Sequence, residues 1–403
     1  MNIIDRFFKY VSFDTQSEED SETLPSTAKQ LVLLDYLENE LKNMGVQTRR
    51  SKCGYVFATL PANSKSKIKL AFLAHVDTSP AVSGKNVSPQ VIRYDGGDVL
   101  LNAKENIYFS ESDFPEIKRY IGQDIIFTDG TTLLGADDKA GVAEIVSAIE
   151  YLLKHPEIER PEIRVAFTSD EEVGRGTEGF DVKEFGADYA YTVDGGELGE
   201  LNYENFNACS GTITVNGVSV HPGDAYGKMI NAIDVFNEFH SALPESERPN
   251  TTKDYQGFYM VESVSGGIES LKAKYIIRDH DADKFKARKE FFVGVAEKIN
   301  AKYGKNVMDA VVTDSYYNMK EIVKNHYHLI DNAIAAFKTV GVTPIVLPIR
   351  GGTDGSHLSA EGLPTPNLST GGHNFHGRFE YIPVRSMEKM VEVIIELAKI
   401  YAK

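Results

Sequence analysis

Three apolar runs that break off at a histidine or a carboxylate constrain this chain more than any other feature. Residues 67–74 lead into His75, 163–168 lead into Asp170-Glu171-Glu172, and 189–193 lead into Asp194. Their largely continuous apolar character predicts strands buried on both faces. A helical pattern over 139–155 is apolar at Ala140, Ala143, Val146, Ile149 and Leu153, and Pro156 blocks its extension. Strand–helix–strand alternation of this kind predicts an α/β fold with a mostly parallel, helix-covered sheet. Ligands of such sheets collect at strand ends, where these imidazole and acidic groups fall.

Further helices are expected over 2–11 and from Ser26 as N-cap to residue 41, with Gly45 as the stop. A strand is expected over 47–60, an irregular excursion over 80–122, and a hairpin of 125–127 with 131–134 turning at Asp129-Gly130. Near residue 208 the pattern changes. Strand 211–220, helix 231–243, strands 258–264 and 270–278, helix 283–303 and strand 307–313 follow in β-α-β-β-α-β order. That order predicts a four-stranded sheet with helices on one face. The α/β pattern then resumes, with helix 321–340, strand 345–349, a turn at Gly351-Gly352, strand 365–369 and helix 384–402. The expected division is a catalytic metal-binding domain of 1–207 and 319–403, and an inserted domain of 208–318.

Length and composition narrow the function. A chain of 403 residues exceeds one ordinary core and favours two domains. Its net charge of −16 argues against nucleic acid or an anionic membrane surface as partner. No stretch approaches the roughly 20 apolar residues of a membrane span, and the N-terminus lacks a signal-peptide core. Cys53 and Cys209 are the only cysteines, which suits a reducing compartment better than a disulfide framework. The expectation is a soluble cytoplasmic enzyme.

The candidate chemistry is metal-assisted hydrolysis. His75 and Asp77 share one strand face, so Asp77 can accept the second imidazole N–H and orient His75. Asp137 lies in a loop entering the 139–155 helix, where one carboxylate can bridge two ions, and Asp138 suits the helix cap. Glu171 and Glu172 diverge at a strand end, so that one can ligate metal while the other serves as base. Asp194 precedes Gly195-Gly196, and His376 precedes Gly377 with His373 as its rival. Imidazole and carboxylate without thiolate suit zinc, cobalt or manganese. Two such ions polarise a carbonyl, and Glu171 is placed to take a proton from water and pass it to the leaving amine. Arg278 and Arg350 are candidates for a bidentate grip on a peptide carboxylate.

His75-Val76-Asp77, Gly135-Ala136-Asp137-Asp138-Lys139-Ala140-Gly141, Asp170-Glu171-Glu172-Val173-Gly174, Val193-Asp194-Gly195-Gly196 and His373-Asn374-Phe375-His376-Gly377 resemble the di-zinc exopeptidases, relatives of the carboxypeptidases and aminoacylases. His75–Pro80, Val82–Val87 and Pro348–Ser356 resemble the tripeptide aminopeptidases within that family, and the likeness spans nearly the whole chain. His357 departs from the pattern, which leads one to expect Arg there. The resemblance implies two zinc ions, one held by His75 and Asp194, the other by Glu172 and His376, with Asp137 bridging. It implies that Asp77 orients His75, that Glu171 is the general base, and that His376 rather than His373 is the ligand. It further implies a homodimer formed through the inserted domain, with His221 of Val220-His221-Pro222-Gly223 approaching the scissile carbonyl oxygen.

The expected activity is release of the N-terminal residue from short peptides, with tripeptides favoured. The rivals are a dipeptidase, carboxypeptidase or N-acyl amino acid deacylase of the same architecture, and a non-catalytic metal- or peptide-binding protein.

Overall fold

The computed structural model describes all 403 residues, which fall into two units. The first comprises Met1–Tyr203, Glu321–Leu347 and Thr353–Lys403; the second comprises Glu204–Lys320 and Pro348–Gly352. Arg350 therefore belongs to the second unit.

The first unit is built on an eight-stranded sheet. Its strands run in the order Gln47–Arg50, Val56–Leu60, Glu162–Thr168, Lys69–His75, Tyr189–Gly195, Asn367–Ser369, Glu200–Asn202 and Ile345–Val346. The three apolar runs lie side by side at its centre and pair in parallel, His75 beside Thr168 and Leu70 beside Tyr189. Their carboxyl ends therefore open on the same edge. Helix Ala136–Lys154 packs on these strands through buried Ala140, Val142, Ala143, Val146 and Ile149. Gly141 permits this approach, because a Cβ there would stand 2.0 Å from the Val193 carbonyl oxygen.

Several local expectations are corrected. The 47–60 segment forms two antiparallel strands, Gln47–Arg50 and Val56–Leu60. The helix expected from Ser26 begins at Lys29, because Ser26 spends its amide and hydroxyl on Asp170. The 80–122 excursion is not irregular. It contains strands Gln90–Tyr94, Val99–Asn102 and Ile107–Phe109, and Tyr94, Phe109, Phe127 and Tyr381 build a local aromatic core. The hairpin at Asp129-Gly130 does not form. Gln123–Phe127 pairs instead with Gln90–Tyr94 and Tyr381–Pro383, while the Leu134 and Gly135 amides bind Glu380. The 321–340 helix is broken into Lys320–Val323, a 3-10 turn and His328–Thr339. A short helix Asp354–Ala360, capped by Thr353 and carrying His357, follows the Gly351-Gly352 turn.

In the second unit a four-stranded antiparallel sheet has the order Phe258–Gly266, Ser270–Asp279, Asn207–Asn216, Met308–Tyr316. Strand Asn207–Asn216 begins and ends four residues before the expected 211–220, with Ile213 and Val215 turned into the core. Helices Ala232–Ala242 and Ala282–Tyr303 supply Val235, Phe239, Phe285 and Phe292 to the same core. No helix of the chain is long and apolar enough to cross a membrane.

Candidate metal centre

Five segments of the first unit bring imidazoles and carboxylates together beside the strand ends. His75 Nε2 lies 2.9 Å from Asp137 Oδ1 and 3.4 Å from Asp194 Oδ1. The other oxygen of Asp137 lies 3.0 Å from His376 Nε2, which is also 2.8 Å from Glu172 Oε2. Asp137 thus turns one oxygen to each imidazole. Two overlapping sets of three donors come within 4.8 Å of one another: His75, Asp137 and Glu172, and His75, Glu171 and Asp194.

Neighbouring groups hold these side chains in place. His75 Nδ1 lies 3.1 Å from the Asp77 backbone carbonyl and 3.3 Å from the carboxylate Oδ1 of the same residue. The same carboxylate accepts the amides of Glu171 at 3.1 Å and Glu172 at 3.2 Å. Sequence reasoning found the carboxylate's contact with His75 and missed the other two, which join residues 94 and 95 positions apart. Asp170 opens the Glu171-Glu172 turn with φ of 66°, a conformation that Asp tolerates better than most residues. Its carboxylate accepts the Ser26 amide at 2.6 Å, the Ser26 hydroxyl, and Gln30 Nε2 at 2.6 Å. Asp138, expected to cap the helix, instead accepts the His75 amide at 3.1 Å.

Asp77→Asn is therefore expected to act on more than His75. An amide side chain offers one acceptor oxygen where the carboxylate uses two, so either Glu171 or Glu172 loses its tie. Activity should fall about 10–100-fold, the usual effect of losing a partner behind a metal ligand. Steady-state kinetics beside metal analysis checks it; wild-type kcat and metal content would refute this role for Asp77.

The electrostatics call for cations. Asp137, Glu171, Glu172 and Asp194 crowd four carboxylates around two imidazoles, negative charge that bound divalent ions would offset. Hydrogen bonds to Asp137 and Glu172 push His376 up to about 11. Burial, opposed by His75, pushes Asp194 up to about 6. Burial and the nearby Asp137 push Glu172 up to about 7. Burial, reinforced by Asp194, likewise pushes Glu171 well above the usual carboxylate range. The buried Glu172 Oε1 has no hydrogen-bond partner. Nitrogen and oxygen donors without thiolate fit a borderline or hard divalent ion.

His373 is committed elsewhere. Its Nε2 lies 2.7 Å from the Tyr120 hydroxyl, its ring stacks on Tyr381, and burial with Arg119 pushes it down to about 4. His376 is 48% exposed and is the imidazole that meets Asp137.

The remaining candidates lie in the second unit. His221 is exposed, and its Nδ1 accepts the Gly223 amide at 3.1 Å. Arg350 does not present a free fork: Nη1 donates to Asp254 and Gln256 carbonyls at 2.6 and 3.0 Å, and Nη2 to Thr252 Oγ1 at 3.0 Å. Arg278 donates from Nη1 to the Arg350 carbonyl at 3.1 Å, and its buried Nε has no protein partner.

Comparison with known proteins adds the following. Residues 134–400 match the model of peptidase family M20/M25/M40. A peptidase T from Desulfitobacterium hafniense strain Y51 is 55% identical over 404 aligned positions, covering 100% of this chain and 98% of the relative. The crystal structure of aminopeptidase PepT from Bacillus cereus superposes with a TM-score of 0.78 at 23% identity, covering 100% of this chain and 98% of that one. A dinuclear metal-binding M20 peptidase from Bacillus subtilis superposes with a TM-score of 0.68 at 14% identity, covering 99% and 97%.

Proposed function

Since the chain belongs to peptidase family M20/M25/M40, we propose that it is a metal-dependent aminopeptidase that removes the N-terminal residue of short peptides, tripeptides above all. The observation that carries the metal chemistry is Asp137, whose two oxygens face His75 and His376 separately. In this reading His75 and Asp194 would hold one ion and Glu172 and His376 the other, with Asp137 shared between them. Zinc is among the metals that suit this donor set and is the one the resemblance implies. Divalent ions bound there supply Lewis acidity for the scissile carbonyl and make water easier to deprotonate.

This chain's residues do the rest. Asp77 fixes the His75 ring and the backbone of Glu171 and Glu172 together. Glu171 takes the proton of the attacking water and returns it to the departing amine. A carboxyl group raised by burial among other carboxylates suits both halves of that exchange. His221 donates to the carbonyl oxygen as its charge develops. Arg278, which spends one Nη on the protein where Arg350 spends both, is better suited than Arg350 to the peptide carboxylate; Arg350 supports it through its own carbonyl. The working form is a cytoplasmic homodimer joined through the second unit.

One assay tests the reading against its rivals. A free tripeptide, a dipeptide and an N-acetylated tripeptide are offered to chelator-treated and zinc-reloaded protein. Zinc-dependent release of the first residue from the free tripeptide alone is expected. Efficient cleavage of the acetylated peptide would make the protein a deacylase or carboxypeptidase. Zinc binding with no turnover of any peptide would make it a binding protein.

A further inference from the structure

We propose that Glu380 is the positioning residue for the bridging carboxylate, holding the loop that carries Asp137 in ligand geometry before any metal arrives. Its carboxylate is 1% exposed and accepts three backbone amides: Leu134 at 2.7 Å, Gly135 at 2.8 Å and Asp137 itself at 3.0 Å. Leu134 and Gly135 precede helix Ala136–Lys154 and Asp137 is non-helical within its first turn, so none of these amides finds a partner within the helix and an incoming carboxylate satisfies all three. The end it caps is also the place where Asp137 leaves the backbone.

Glu380 is itself held from two sides. On its far side Tyr381–Pro383 pairs with Gln123–Phe127, the strand that leads into the Asp137 loop. On its near side the His373 and Tyr381 backbones exchange hydrogen bonds of 2.9 and 3.1 Å, closing the loop that carries His376. Gly372 leaves room for the Phe375 ring of that loop: a Cβ at Gly372 would stand 2.5 Å from the ring edge. One carboxylate thus ties the segment bearing the His376 imidazole to the segment bearing the Asp137 carboxylate. Two of the three ligands read for the second ion, Asp137 and His376, thus have their backbones braced together.

The proposal rests on the reading of Asp137 as a bridge, so the test carries Asp137→Ala beside Glu380→Gln. Glutamine keeps the shape but turns an NH2 group toward one or more of the three amides. Full-length wild type and both variants are dialysed against graded free Zn²⁺. The weaker of the two zinc sites in Glu380→Gln should need roughly 10–100-fold more free Zn²⁺ for half-occupancy. Peptide turnover should return toward wild type at saturating Zn²⁺, a rescue that a misfolded chain would not show. Asp137→Ala should lose both ions. If Glu380→Gln binds zinc as wild type does while Asp137→Ala loses its ions, the proposal fails alone. If Asp137→Ala keeps both, the bridge reading fails and takes the proposal with it. A second measurement needs no variant. In wild-type protein, hydrogen exchange at the Leu134, Gly135 and Asp137 amides should remain protected after the metals are removed; free exchange there would overturn the proposal.

Discussion

Glu171→Gln is expected to lower turnover by about 10²–10⁴-fold while both metals stay bound, which would make it a base and not a ligand. The substitution keeps the side chain's size and removes its basicity. Its backbone anchor is unaffected, because the Glu171 amide binds Asp77 whatever the side chain. The alternative is concrete, since Glu171 shares a 4.8 Å donor set with His75 and Asp194. Were it a ligand, glutamine's weaker oxygen donor would cost the protein a metal along with the activity. Metal content and peptide hydrolysis measured on one preparation separate the two cases. Turnover near wild type would remove Glu171 from the chemistry.

The distinction matters because Glu171 and Glu172 are neighbours in sequence with different partners. Glu172 reaches the exposed His376, whereas Glu171 stands on the side of His75 and Asp194. The Glu171–Val173 turn opens on Asp170 in a left-handed conformation, and the Asp77 carboxylate then binds both amides. One local distortion, anchored from the N-terminal segment through Ser26 and Gln30, sends the two carboxylates to different tasks.

What sequence made legible follows the range of the physical signal. Apolar runs and helical periodicity are local, and they located the three central strands, the helix over Ala136–Lys154 and the β-α-β-β-α-β unit. Ligand types at strand ends, and in the loop entering the 139–155 helix, then marked His75, the Glu171-Glu172 pair, Asp194 and Asp137, which the fold brings together. The choice between His373 and His376 was not legible from spacing, because it depends on the Tyr120 hydroxyl from a distant segment. Glu380 gave no signal at all: a single carboxylate after an aromatic residue looks like a solvated surface group, and its amide partners lie up to 246 positions away. The hairpin at Asp129-Gly130 failed for the same reason. Its turn residues were locally sound, but its strands found partners elsewhere in the chain. Braces made by long-range acceptors are the part of this site that periodicity cannot report.

His221→Ala is expected to cost about 10²–10³-fold in turnover with both metals retained, the loss usual for one donor to a developing oxyanion. The ring has the right polarity for that task. Its Nδ1 accepts the Gly223 amide, so the proton of the neutral imidazole sits on Nε2, which is free to donate outward. Because the ring is exposed on the second unit, it is available to another copy of the chain, as the family resemblance implies. Mixing provides the test. His221→Ala and Glu171→Gln are each nearly inactive, but a site needs only one intact Glu171 and one intact His221. If the histidine acts in the partner and subunits exchange freely in a symmetric dimer, about a quarter of all sites in an equal mixture regain both. Activity should then appear from two nearly inactive proteins at roughly that fraction of wild type. Subunit exchange is followed separately by mass-tagged chains. Exchange without recovered activity would show that His221 does not act on a partner's substrate, and wild-type turnover by His221→Ala would remove it from the reaction altogether.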